Sequence, residues 1–248
     1  MRLRHLLLIA AVLFCPAISH AVTCSVSNVQ PINLGSVNPL SATGATSSMT
    51  FNYTCTKELG DVLAGINLCF NIGASAVSGQ VTPRNMSLNG TPARTLAYQL
   101  YQDAGHTKVW GSQYQSGTTF PMVQLNLLNL TPVTGSLTVS AQIVTPQTSA
   151  VPGSYQDSYT AATALVTLNP GLLFPPTTCG DTVAARLPFT VSATVSKQCN
   201  ITSATNISFA PARATGRNLT ASNTVGVACS NNTPYTIGLQ PSNGNTAG

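Results

Sequence analysis

Apolar and polar residues alternate along much of the chain. Met49, Phe51, Tyr53 and Cys55 fall on one side of a period of two, with Thr50, Asn52 and Thr54 between them. Ile66, Leu68, Phe70 and Ile72 repeat the pattern, as do Leu96, Tyr98 and Leu100, and then Leu137, Val139, Ala141 and Ile143. The most regular run is Leu187, Phe189, Val191, Ala193 and Val195, with Thr190, Ser192 and Thr194 interleaved. Successive side chains of a strand point to opposite faces, so each run predicts a strand with one apolar face. Turn formers such as Leu88-Asn89-Gly90 and Val151-Pro152-Gly153 separate them. Many short strands with punctuating turns, and no helical period after residue 21, predict an all-β sandwich or barrel.

The pattern also repeats at long range. Cys24 and Cys55 are 31 positions apart and Cys199 and Cys229 are 30 apart. An alternating run follows each pair, Ile66–Phe70 in one case and Tyr235–Leu239 in the other. Thr43-Gly44-Ala45 and Thr215-Gly216-Arg217 fall at similar places within the loops. The repeat predicts two homologous β-sandwiches in tandem, one over residues 22–197 and an incomplete second over 198–248. The simplest pairing joins Cys24 to Cys55 and Cys199 to Cys229, which leaves Cys69 with Cys179. Each loop of about 30 residues so closed contributes on the order of 3–4 kcal/mol in the loop-entropy model.

The first 21 residues change the setting. Arg2 and Arg4, the apolar stretch Leu6–Val12 and the small residues Ser19 and Ala21 make a secretory leader, with cleavage expected after Ala21. A lipoprotein reading through Cys15 is weaker, because Phe14 precedes it and Pro16 follows. Export leaves six cysteines in an oxidising compartment, where an even count reads as disulfides rather than a metal site. No C-x-x-C pair exists, and His106 is the single histidine after the leader, so neither metal nor cofactor is expected. Charged residues are 6% of the chain. Without clustered lysines or arginines there is nothing to follow a phosphate backbone, so nucleic acid is excluded as a partner. No apolar stretch after the leader is long enough to span a bilayer.

Three motifs carry a resemblance. Leu96-Ala97-Tyr98-Gln99-Leu100-Tyr101-Gln102-Asp103 with Val109-Trp110-Gly111 resembles the central motif of the spore coat protein U domain. Pro152-Gly153-Ser154-Tyr155-Gln156-Asp157 resembles its late G-x-Y-x-D motif, and the Cys24…Cys55 frame agrees. The family includes subunits of archaic chaperone–usher pili, Ig-like sandwiches that lack one strand. The resemblance implies a periplasmic chaperone, an outer-membrane usher and neighbouring pilin subunits as partners, transit through the periplasm after Sec export, and display at the cell surface. Such a shaft subunit needs a donor segment of roughly ten residues ahead of its first cysteine. Here Val22 and Thr23 alone precede Cys24. Leu187, Phe189, Val191, Ala193 and Val195 instead have the pattern of a donor strand, placed to complete the first sandwich in cis. A subunit that offers no strand belongs at a fibre tip, as an adhesin acting in surface attachment and biofilm formation. Cys69, Cys179 and the Leu168–Asp181 stretch stand outside the family pattern.

Catalytic chemistry finds little support. His106 lies between Gly105 and Thr107 in a turn-like stretch without a partner, and the five acids are scattered. Asp103 and Asp157 read as turn-fixing side chains rather than an acid pair. Trp110 reads as core, or as a sugar platform. Two apolar stretches are binding candidates: Phe120–Val123 leading into Leu125–Leu128, and Asn169–Pro176 with Leu172, Leu173 and Phe174 at its centre. Its prolines bar the second from a central strand, so the triplet packs beneath the loop or faces outward toward an abiotic surface or host ligand. The Asn-x-Ser/Thr sequences at Asn85 and Asn218 read as incidental. A coat-forming or carbohydrate-binding module that joins no fibre is the second function class, and an exported hydrolase a distant third.

Overall fold

The computed structural model describes residues 22–59, 65–209, 211 and 219–240. The leader, Thr215–Arg217, Asn218 and the closing stretch 241–248 lie outside the described residues.

Fourteen strands and no helix are present among the described residues. One layer of an Ig-like sandwich has the order β1 (Thr23–Ser27), β3 (Thr46–Thr56), β8 (Val133–Ile143), β6 (Thr91–Tyr101). The other has the order β5 (Arg84–Leu88), β9 (Gly153–Tyr159), β12 (Phe189–Val195), β2 (Ile32–Val37). The β5–β6 hairpin joins the layers into one folded-over sheet. Its turn is Asn89-Gly90, with φ of 47° and 74°. Positive φ at both central residues is the type I′ geometry that matches strand twist, and Asn-Gly tolerates it best. A four-stranded sheet, β7 (Met122–Asn126), β4 (Gly65–Ile72), β10 (Ala164–Gly171), β11 (Thr182–Arg186), prolongs the second layer. The chain passes from β4 to β5, from β9 to β10 and from β11 to β12, so three long strands are each interrupted once.

The predicted alternation becomes the core. Met49, Phe51, Tyr53 and Cys55 are buried on β3, and Phe51 and Tyr53 meet Phe70 with ring centroids 5.8 and 5.4 Å apart. On β4 both faces are buried, including polar Asn67 and Asn71. There the alternation marks two different buried environments rather than core and solvent. The Asn71 carboxamide oxygen accepts from the Gln113 backbone N–H at 2.7 Å, so a covering loop replaces water.

Two local expectations change. Met122–Asn126 is a paired strand, not a loop. Pro170 lies within β10, opposite Ile66, but past Leu168, where pairing with β11 ends, so its missing N–H interrupts no ladder on that side.

The second unit is the pair β13 (Cys199–Ser203) and β14 (Gly226–Cys229), antiparallel, with Cys199 opposite and bonded to Cys229. Cys24–Cys55 and Cys69–Cys179 are the other disulfides.

Candidate functional site

Register brings three connections to one end of the sandwich. Gly65 lies opposite both Gly171 and Asn126, and Cys55 lies opposite Val133. The segments after β3, β7 and β10 therefore leave from the same end. Large apolar side chains there face solvent: Leu59, Leu128 and Leu130 from the first two, and Leu172, Leu173 and Phe174, 65, 73 and 78% exposed, from the third. Burial of each is worth about 1.5–3 kcal/mol, so leaving six of them exposed at one end is a costly arrangement unless the surface is used. The sequence pointed to the triplet and, through the Leu125–Leu128 stretch, to Leu128; Leu59 and Leu130 were missed because only register brings their segments to the same end. The triplet's backbone crosses directly over β4, where a Cβ at Gly65 would run into Phe174 and Pro175.

β11 starts at this end, with Thr182 opposite Leu168, and β12 finishes at the other, with Val195 opposite Gly153. Ser196–Gln198 then leads into β13. The apolar end and the second unit thus occupy opposite poles.

β12 itself pairs antiparallel with β9 and parallel with β2. Leu187, Phe189, Val191, Ala193 and Val195 are buried. Phe189 stacks on Tyr159 with centroids 4.7 Å apart.

Most of the motif residues sit inside. Trp110 is fully buried and its indole N–H donates to the Phe70 carbonyl at 2.9 Å, which removes it as a sugar platform. A Cβ at Gly111 would collide with Thr118. Leu100 is buried, while Tyr101 is half-buried with its ring 5.1 Å from His106 at a φ of 55°. Tyr155 donates to the Val151 carbonyl at 2.8 Å, the tyrosine corner of Ig-like sandwiches. Gly153 has φ of 145°, where other residues are strained. Asp103 does fix a turn: the backbone N–H groups of Lys108 and Thr107 donate to it and hold its carboxyl below the usual range. Asp157 does not. It is buried on β9, where the Tyr98 hydroxyl donates to it at 2.6 Å while lying 2.9 Å from the Tyr159 hydroxyl.

Arg84, absent from the sequence-based set, is the centre of this cluster. It is fully buried, and its guanidinium donates to the carbonyls of Val81, Ile72, Gly73 and Trp110 and to the Gln99 side chain, at 2.6–3.1 Å. These acceptors come from the end of β4, the connection between β4 and β5, β6, and the segment after β6.

Burial raises the Tyr98 hydroxyl well above its ordinary value, with Tyr159 and Asp157 adding to it, and pushes Tyr159 up to about 12. A folded pKa above the unfolded one means that the native state binds more protons in that window. Stability is therefore complete below pH 10 and is lost as pH rises toward 12, by roughly 3 kcal/mol for Tyr159. Absorbance titration at 295 nm is expected to show these two tyrosines ionising only as the protein unfolds. Smooth titration of all tyrosines near pH 10 in folded protein would contradict it.

The tip subunit CsuE from archaic chaperone–usher pili of Acinetobacter baumannii, solved with its chaperone CsuC, is similar at 16% identity and a TM-score of 0.43, over 91% of this chain and 78% of that one. CfaE, the adhesive subunit of CFA/I fimbriae of enterotoxigenic Escherichia coli, is similar at 14% identity and a TM-score of 0.31. That match covers 68% of this chain and about half, 49%, of CfaE. AggA, the major subunit of E. coli aggregative adherence fimbriae, is similar at 14% identity and a TM-score of 0.27, over 71% and 95% of the two chains. No curated protein matches the sequence. The model of the spore coat protein U domain matches residues 10–162 and 185–248. With that match over most of its length, the chain belongs to the spore coat protein U domain family.

Proposed function

We propose that the protein is a subunit of an archaic chaperone–usher pilus, and that it sits at the fibre tip as an adhesin for apolar surfaces. The observation that carries this reading is the exposed apolar end, held at the pole opposite the segment that leads to the second unit. In this reading the leader sends the chain through the Sec pathway, and a periplasmic chaperone and the outer-membrane usher handle it. Residues 187–195 act as the built-in donor strand of the first sandwich. The second unit, from residue 198, opens a second domain of the same family and meets the neighbouring pilin. Surface attachment and biofilm formation follow from the apolar end.

The test is retention of the purified chain on alkylated and on hydroxylated glass. Changing Leu172, Leu173 and Phe174 together to serine is expected to cut retention on the alkylated surface at least tenfold. Because the triplet is already exposed, the melting temperature is expected to move by less than about 2 °C. Equal retention of both proteins would remove the site.

A further inference from the structure

The chain from Pro176 to Gly180 is held to the sandwich by side-chain amides rather than by backbone pairing. Gln124 on β7 donates to the Pro176 carbonyl at 2.8 Å. Asn67 on β4 and Asn169 on β10 both donate to the Thr178 carbonyl, at 3.0 and 2.9 Å. Gln113, from the loop that covers β4, donates to the Gly180 carbonyl at 3.1 Å. Carbonyls at every second residue thus face the sheet and accept from four different segments. The Cys69–Cys179 disulfide fastens the same stretch to β4. None of the loop and turn backbone–backbone hydrogen bonds among the described residues involves residues 172–181.

We infer that these four amides and the disulfide form a brace whose function is to hold Leu172, Leu173 and Phe174 in solvent, ready for a surface. An apolar triplet on a slack loop folds back onto nearby apolar ground, and here Leu128 and Leu130 lie exposed on the segment that follows β7 at the same end. Carboxamide donors, three anchored on strands and one on the covering loop, remove that freedom without adding charge, which would oppose contact with an apolar surface. A brace also lowers the cost of binding, because ordering of the loop is completed during folding. The inference rests on the surface-contact reading above. It assigns Asn67, Gln113, Gln124, Asn169, Cys69 and Cys179 as positioning residues for that contact.

Two variants of the full chain test it. Gln124 and Asn169 are not buried, so changing both to alanine loosens the loop without opening the core. The second variant replaces Cys69 and Cys179 with alanine. Each is measured for retention on alkylated glass, melting temperature, and nicking by thermolysin, which cuts before Leu172 and Leu173. The expected result for Gln124→Ala with Asn169→Ala is nicking at least tenfold faster and retention at least fivefold lower, with melting within 3 °C of the native chain. The disulfide variant is expected to show larger changes in the first two. Faster nicking with undiminished retention would overturn the inference while leaving the adhesive surface in place. Failure of the native chain itself to be retained would overturn the surface reading and this role together, and is seen before any variant is compared.

Discussion

Changing Arg84 to methionine is expected to lower the melting temperature by roughly 8–16 °C. The side chain keeps its apolar stem but loses the guanidinium, and the carbonyls of Val81, Ile72, Gly73 and Trp110 and the Gln99 amide lose their donor in a site without solvent access. A buried acceptor left unpaired costs about 1–3 kcal/mol, and breaking a buried charged network about 3–5 kcal/mol. Taking about 4 kcal/mol, a domain of this size shifts by 2–4 °C for each kcal/mol. Lysine in its place keeps the charge but offers one compact head group, which cannot serve acceptors spread over several segments. Arg84→Lys is expected to recover less than half of the loss. Thermal unfolding followed by circular dichroism decides it, and a change under 3 °C for the methionine variant would show that the network adds little.

The largest effect is expected from removing β12. A chain that ends at Pro188 exposes the groove between β9 and β2, with unpaired backbone on both sides. It also forfeits burial of Phe189, Val191 and Val195, together worth roughly 5–9 kcal/mol. Such a chain is expected to aggregate when expressed alone. A synthetic peptide of residues 187–197 supplied during refolding is expected to restore a monomer on size-exclusion chromatography. The same peptide with Val191→Asp is not, because it would bury an unpaired carboxylate against the core. A shortened chain that is monomeric and melts like the native one would show that β12 is dispensable to the sandwich.

Much of the fold was legible where strands have one buried face and length enough to show a period. β3 and β12 are such strands; β8 shows the same period in its apolar residues, although Ser140 on its other face is buried too. β2 and β7 are short and sit at sheet edges, so their few residues show no clean alternation. Pro121 and Pro170 beside or within β7 and β10 read as loop punctuation. The Leu172–Phe174 triplet stood out because prolines surround it, but its exposure depends on what covers it, which local sequence does not encode. Asp157 looked like a turn residue from its type and neighbours, yet its strand turns it inward to Tyr98. Arg84 was invisible for a different reason: most of its partners are backbone carbonyls, and those carry no sequence signature. The amides of Asn67, Gln113, Gln124 and Asn169 share that property, since in sequence they are ordinary polar residues of a chain rich in them.

The placement of β12 has a mechanical consequence. The strand continues directly into the segment that leaves for the second unit, while the exposed apolar end lies at the opposite pole. A load applied between the two would enter the sandwich along the axis of β12. Its backbone hydrogen bonds to β9 and β2 run across that axis, so they are sheared in parallel on both sides instead of being peeled one by one. Traction on a molecule anchored by that end would therefore be borne by a strand paired on both flanks, without a break against β9 and with one irregularity against β2 between Ser192 and Thr194, and the fold has its tensile element where the chain passes the strain onward.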